Sequence, residues 1–204
     1  MKIVIAGAGE VGTHLAKMLS QENQDIILMD PNEERLKFTN NMEVLAMVGN
    51  PTSLKDLQES GIKDADLFIS VTPEEPTNIT ACMLAHSLGA HKTLARINNY
   101  EYLQPKNIEF FQKLGISSMI YPEMLAAREI VTAVQRPWAR QYWELFGGAL
   151  ILIGVKVRDN APIVNKRLTD LSLDQKLYHI VAIKRCNETI IPRGTDHIAS
   201  GDIV

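Results

Sequence analysis

The chain has 204 residues, 46% of them hydrophobic and 22% charged, with 12 Gly, 9 Pro and a formal charge of −3. This is an ordinary globular composition; it excludes collagen-like and low-complexity chains, and the negative charge argues against a general phosphate-backbone binder, so no nucleic-acid partner is expected. The longest apolar run, 149–155, is too short to span a bilayer, no secretory leader precedes the first strand-like run, and the two distant cysteines, Cys82 and Cys186, form no zinc-ligand spacing and read as small buried hydrophobes of a reducing cytosol.

In chain order, residues 2–6 (KIVIA) are a β-branched apolar run and predict a strand. Gly7, Gly9 and Gly12 follow. Leu15, Met18 and Leu19 then recur at helical spacing to about Ser20, so the segment reads strand, tight glycine turn, helix. Residues 25–29 predict a second strand ending at Asp30, and Asn32 reads as the N-cap of a helix with Glu33 and Glu34 in its first turn. Residues 43–48 predict a third strand, and Thr52 or Ser53 caps a short helix that ends before Gly61. Residues 66–71 predict a fourth strand and 76–88 a helix closed by Gly89. Residues 93–96 and 118–121 predict the fifth and sixth strands, and Pro122 opens a helix through about Val134. Six strands alternating with helices imply an α/β fold with a doubly wound, Rossmann-like parallel sheet over residues 1–134.

The pattern changes after that. Residues 135–148, with Pro137 and a Gly pair, read as a linker with a partly helical stretch. Residues 149–204 read as a small α+β subdomain: a strand over 150–157, a short helix over 164–171, a hairpin of 180–185 and 189–192, and a last turn at Ser200, Gly201 and Asp202. A unit of about 55 residues is below the size that carries an ample core of its own. The apolar residues Met124, Leu125, Ile130, Val131 and Val134 of the preceding helix face either a partner subunit or their own sheet. Trp138, Tyr142, Trp143 and Phe146, at roughly helical spacing in the linker, serve either an interface or an intrachain hinge.

GAGEVG at 7–12 has the spacing of a dinucleotide-binding turn in the required strand–turn–helix context. The first glycine permits the tight turn, the second admits a pyrophosphate, and the third lets helix and strand approach. Asp30, at the end of the next strand, is placed to accept hydrogen bonds from both ribose hydroxyls. The same charge disfavours a 2′-phosphate, so NAD(H) or ATP/ADP is expected rather than NADP(H). Arg35 and His14 read as solvated helix positions, although either also lies within reach of a phosphate. The five histidines are isolated, and no metal-ligand set or catalytic motif occurs. His179, His197 and Asp202 have no visible acid–base partner, which weighs against a rival reading as an NAD-dependent dehydrogenase. A second rival, a redox-sensing DNA-binding repressor, needs a basic recognition helix that the chain does not show.

KIVIAGAGEVG, ILMDPNEERL, VGNPTSLKDLQESGIKDADLFISVTPEEPTNITACMLA and LARINNYEY, in that order, resemble the nucleotide-binding domain of the regulator-of-potassium-conductance (RCK, or KTN) family. LTDLSL and IVAIKRCNETIIPRGTDHIASGDIV are similar to the subdomain that follows it in that family, with Asn165 where a glycine is common. The resemblance implies a cytoplasmic, non-enzymatic, homo-oligomeric regulatory subunit. It would gate a membrane potassium channel or transporter subunit of the TrkH type through NAD(H)- or ATP/ADP-dependent conformational change, peripheral to the membrane and without insertion. Family members often carry two such modules in tandem, and a chain ending at GDIV reads as a truncated chain or a single-module relative. The resemblance also implies site roles. The backbones of Ala8, Glu10 and Val11 line the phosphate turn with Gly7, Gly9 and Gly12. Asn50 stands where the family has an aspartate beside the adenine. Val71 and Thr72 end the fourth strand beside the cofactor, Asn78 lies at the start of the next helix, and Arg96 ends the fifth strand facing a phosphate, with a surface ion pair as the alternative.

Overall fold

Strand β1 (Lys2–Ala6) sends successive side chains into two different apolar clusters. Ile3 and Ile5 pack with Ile26, Leu28 and Ile69; Val4 and Ala6 pack with Phe68, Ala81 and Ala95. Period-2 alternation with both faces apolar requires a sheet covered on both sides by helices. The computed structural model describes residues 1–37, 39, 42–171 and 178–204. It divides into two units, Met1–Leu125 and Ala126–Val204.

In the first unit β1 is followed by α1 (Glu10–Ser20), β2 (Asp25–Asp30), α2 (Glu33–Leu36), β3 (Leu45–Val48), α3 (Leu54–Glu59), β4 (Leu67–Ser70), α4 (Glu75–Ser87), β5 (Lys92–Arg96), α5 (Pro105–Lys113) and β6 (Ser118–Ile120); α6 (Pro122–Gln135) begins there. The parallel sheet has the order β3-β2-β1-β4-β5-β6. This is the expected doubly wound α/β fold, and its strand order reverses between β1 and β4, where such sheets open a crevice at their carboxyl ends. Asn32 caps α2 by accepting the Glu34 N–H at 2.9 Å. Of the two candidates for α3, Ser53 is the cap, accepting from Asp56 N–H. Helix α5 is an addition to the expected elements: PKNIEFFQK is amphipathic but polar on average and buries only Phe111, and Pro105 supplies a preset first turn.

The second unit carries β7 (Ala139–Leu145), β8 (Leu150–Val155), α7 (Leu168–Leu171), β9 (Ile183–Arg185) and β10 (Glu188–Ile190). The expectation of a partly helical linker over 135–148 is corrected: β7 pairs antiparallel with β8. Gly147 and Gly148, which read as a break, adopt positive φ of 66° and 91° and form the turn between the two strands. Of the aromatic residues of this segment, Tyr142 and Trp143 are therefore strand residues, with Trp138 just before the strand and Phe146 in the turn after it, and they do not form one helical face. The second unit begins at Ala126, inside α6. Its core is Val157, Ile183 and Ile198. Backbone bonds from Val155 N–H to Val204 O and from Val157 N–H to Asp202 O, both 2.8 Å, tie the chain end onto it. Only the last turn of the helix expected over 164–171 forms, because Asn165 is left-handed at φ 61°, the conformation that favours the family's glycine. Ser172 and Leu173 of the LTDLSL segment lie outside the described residues. Cys82 is fully buried, as expected, but Cys186 is exposed in the β9–β10 turn. None of the α6 residues is buried.

Candidate functional site

The glycine turn joins β1 to α1, and each glycine meets a different constraint. Gly7 has φ 106°, and a Cβ there would stand 3.0 Å from Thr72 N; its own N–H donates to Met29 O at 2.8 Å. Gly7 is thus held between the ends of β2 and β4. A Cβ on Gly12 would fall 1.8 Å from Gly7 O, so the third glycine is what lets α1 approach the strand. Gly9 is different: it is extended, and a Cβ there would meet nothing within 4 Å. The backbone at Gly9 is exposed to open space, the cradle that a pyrophosphate requires. The first helical bond of α1 runs from Thr13 N–H to Gly9 O at 2.9 Å. The N–H groups of Glu10, Val11 and Gly12 precede it and have no acceptor within the helix, and they stand at the positive end of the helix dipole.

Asp30 lies beneath this turn, 2% exposed. Its Oδ2 accepts Ala8 N–H and its Oδ1 accepts Asn32 N–H, both at 2.8 Å, and Arg35 Nη1 is 3.8 Å from Oδ2. The carboxylate thus ties the glycine turn to the start of α2 and keeps a second lone pair on each oxygen. Arg35 is half-exposed and paired with Asp30, which partly offsets the repulsion of a 2′-phosphate. His14 is exposed on α1.

After β3, Asn50 is exposed and its side-chain carbonyl is engaged by Thr52, at 2.9 Å from the N–H and 2.8 Å from the hydroxyl. Its own N–H donates to Asp56 Oδ2 at 2.7 Å. The carboxylate at this edge is therefore supplied by Asp56 of α3, a residue the sequence reading passed over. The signal for it was the Ser53-x-x-Asp56 spacing of a helix cap. Asn50 N–H, and then Ser53, hold the Asp56 carboxyl below its ordinary value, so it is an anion at neutral pH.

The end of β4 is organised by Asn78, which is 1% exposed. Its Oδ1 accepts from Ser70 Oγ, Thr72 N–H and Thr72 Oγ1; its Nδ2 donates to Thr72 O and Arg96 O, both at 2.9 Å. Every polar atom of this side chain is used internally. Asn78 thus sets the positions of Thr72 and Arg96 and does not itself face a ligand, contrary to the role implied for it. Val71 is buried behind Gly7 and Gly12. At the end of β5, Arg96 Nη2 lies 2.6 Å from Glu123 Oε1 in the first turn of α6, so the ion-pair reading is realised. Arg96 Nε is buried without a hydrogen-bond partner among the described residues. The Glu123 carboxyl is held below its ordinary value by its own backbone N–H and by Arg96.

The structure therefore brings Gly7, Ala8, Gly9, Glu10, Val11, Gly12, Asp30, Val71 and Thr72 together at the β1–β2–β4 carboxyl edge, with Asn50 and Arg96 at the ends of the flanking strands. Among the described residues, no group of three or more acidic, His or Cys side chains is arranged to hold a metal ion, and no helix is long and apolar enough to cross a membrane.

The TrkA-N domain model matches residues 3–122 and the TrkA-C domain model residues 152–204. A Trk system potassium uptake protein TrkA homolog of Archaeoglobus fulgidus is 33% identical over the whole chain, which covers 46% of that relative. A TrkA homolog of Methanothermobacter thermautotrophicus is 34% identical over 95% of the chain and 87% of its own length. The chain thus spans about half the length of several curated relatives it matches. Among solved structures, the GsuK channel bound to NAD has the same fold over 99% of this chain and 36% of its own, with a TM-score of 0.63 at 15% identity. With a TrkA-N domain carrying the glycine turn and a TrkA-C domain following it in sequence, the chain belongs to the TrkA family of potassium-uptake proteins.

Proposed function

We propose that this chain is a nucleotide-sensing regulatory module of a potassium-uptake system, acting at the cytoplasmic face through a separate membrane channel or transporter subunit of the TrkH type. The observation that carries the nucleotide reading is the open space at Gly9, between two glycines whose own Cβ positions are blocked. The N–H groups of Glu10, Val11 and Gly12 hold the phosphates. Asp30, fixed through Ala8, accepts from the adenosine ribose. NAD(H) is the first choice of ligand and ATP or ADP the second at the same site. Among the described residues no acid–base pair adjoins the turn, and the role requires no covalent chemistry, so no dehydrogenase turnover is expected.

Regulation requires that the ligand bind two conformations with different affinity. Arg96 is the structural link available for this. It joins the carboxyl edge of β5 to Glu123 on α6, so a change in its charge balance is felt at the start of that helix. The exposed apolar residues of α6 and of β7–β8 support a homo-oligomer in which these surfaces are covered.

The test is calorimetric titration of the chain with NADH and with ATP, alongside Gly9→Val. Saturable binding that Gly9→Val abolishes, together with co-purification with the membrane potassium-transport subunit, is the expected result. Binding unchanged by Gly9→Val would remove the glycine turn from the site.

A further inference from the structure

Three cations line one concavity at the base of the β7–β8 hairpin. Arg140, Lys156 and Arg158 share it with Trp138, Asp159 and Ser200, all within the second unit. All three cationic side chains are exposed, and among the described residues none of them has an ion-pair or hydrogen-bond partner. The one acid in the lining, Asp159, is engaged by the Ser200 hydroxyl. The neighbouring Asp202 is 1% exposed and paired with Arg185 at 2.8 Å, so its charge is withdrawn from the concavity. Like charges gathered on one surface repel, and nothing in the packing of this unit requires them there.

The backbone is arranged to bring them together. Ala139 pairs with Val155 and Gln141 with Gly154, which leaves Arg140 as the extra residue of a β-bulge. A bulge takes a side chain out of strict alternation and re-aims it. Lys156 and Arg158 flank buried Val157, whose N–H and carbonyl bond Asp202 and Gly201. Gly201 has φ 85°, and a Cβ there would meet nothing within 4 Å, so the rim is open. Trp138, half-exposed, supplies an aromatic wall.

We propose that this concavity binds a phosphate-bearing ligand, separate from the glycine turn of the first unit. The two guanidinium groups and the ammonium group supply charge-assisted hydrogen bonds to phosphate oxygens. Trp138 offers a face to whatever the phosphate is attached to.

The test uses the full chain carrying Trp143→Phe, which leaves Trp138 as the sole tryptophan of the two. Its fluorescence is followed during separate titrations with inorganic pyrophosphate, with ATP and with phosphatidylglycerol vesicles. A saturable change with pyrophosphate or ATP assigns a free phosphate ligand, and a change with vesicles alone assigns a lipid headgroup. In the responding arm, combining Arg140→Gln, Lys156→Gln and Arg158→Gln is expected to weaken binding at least about tenfold. Gly9→Val and Lys184→Gln, an exposed lysine elsewhere in the unit, are expected to leave it unchanged. The altered side chains are all exposed, so the melting temperature reports that the fold is kept. No saturable change in any arm, an unaltered affinity in the triple variant, or an equal loss in Lys184→Gln would overturn the site.

Discussion

Asp30 Oδ2 accepts the N–H of Ala8 at 2.8 Å across 22 residues of sequence. The carboxylate proposed to read the ribose is thus also the post on which the phosphate turn rests. Asp30→Asn is expected to cost about 1–3 kcal/mol of stability, because the amide can serve only one of the two backbone N–H groups. It should also weaken NADH binding while raising the ratio of NADPH to NADH affinity, since the negative charge is lost and Arg35 remains. Thermal unfolding and paired titrations measure both. An unchanged ratio would detach Asp30 from the ribose end.

Gly9 and Gly12 are expected to respond oppositely to one added methyl group. Gly12→Ala places Cβ 1.8 Å from Gly7 O, and overpacking of this kind costs about 1–3 kcal/mol or more. Gly9→Ala meets open space, so stability should change by less than about 0.5 kcal/mol while nucleotide affinity falls. Urea unfolding of the two variants makes the comparison. Equal destabilisation would contradict the turn geometry.

The pairing of buried Asp202 with the partly exposed Arg185 makes the second unit sensitive to acid. Arg185, helped by Ala199 N–H, holds the Asp202 carboxyl below its ordinary value of 3.8. The folded state therefore binds this proton less readily than the unfolded chain. The pair's stabilisation is complete above the unfolded value and is lost as pH falls through the folded one. Asp202→Asn is expected to be less stable than the parent chain near neutral pH and to lose less on going to about pH 3. Denaturant midpoints across that range decide it, and parallel acid profiles for the two chains would count against the pair.

The two thiols should differ sharply in reactivity. Burial pushes the Cys82 thiol up to about 12, so almost no thiolate forms at neutral pH. Cys186 is exposed in a turn at φ 54°. A maleimide reagent is expected to add once to the native chain, at Cys186, and twice in denaturant, as read by mass spectrometry. Native labelling at Cys82 would show that α4 opens on the labelling timescale.

Helix α6 leaves Ile130 64% and Val131 52% exposed. Ile130→Glu or Val131→Glu is expected to shift the sedimenting mass toward monomer and to leave nucleotide binding largely intact. A strict monomer before mutation, with and without nucleotide, would show that these residues do not mediate assembly.

The doubly wound sheet and the glycine turn were legible in the amino-acid order, because both rest on local rules. Two-sided apolar strands can only be interior, and Gly7, Gly9 and Gly12 act within six residues of one another. Helix α5 escaped notice because it is polar on average and buries only Phe111, and β7 because its turn glycines resemble a break in structure. Which polar groups are used up and which are left open depends on the folded arrangement. Asn78 is consumed by groups on two strands, Arg96 is paired with Glu123 27 residues away, and the Asp56 carboxylate stands beside Asn50, where the family pattern has its own aspartate. Hydrogen bonding and charge pairing depend on distance in space, which sequence separation does not encode. The same reason hid the gathering of Arg140, Lys156 and Arg158 until a bulge and a chain-end pairing brought them to one place.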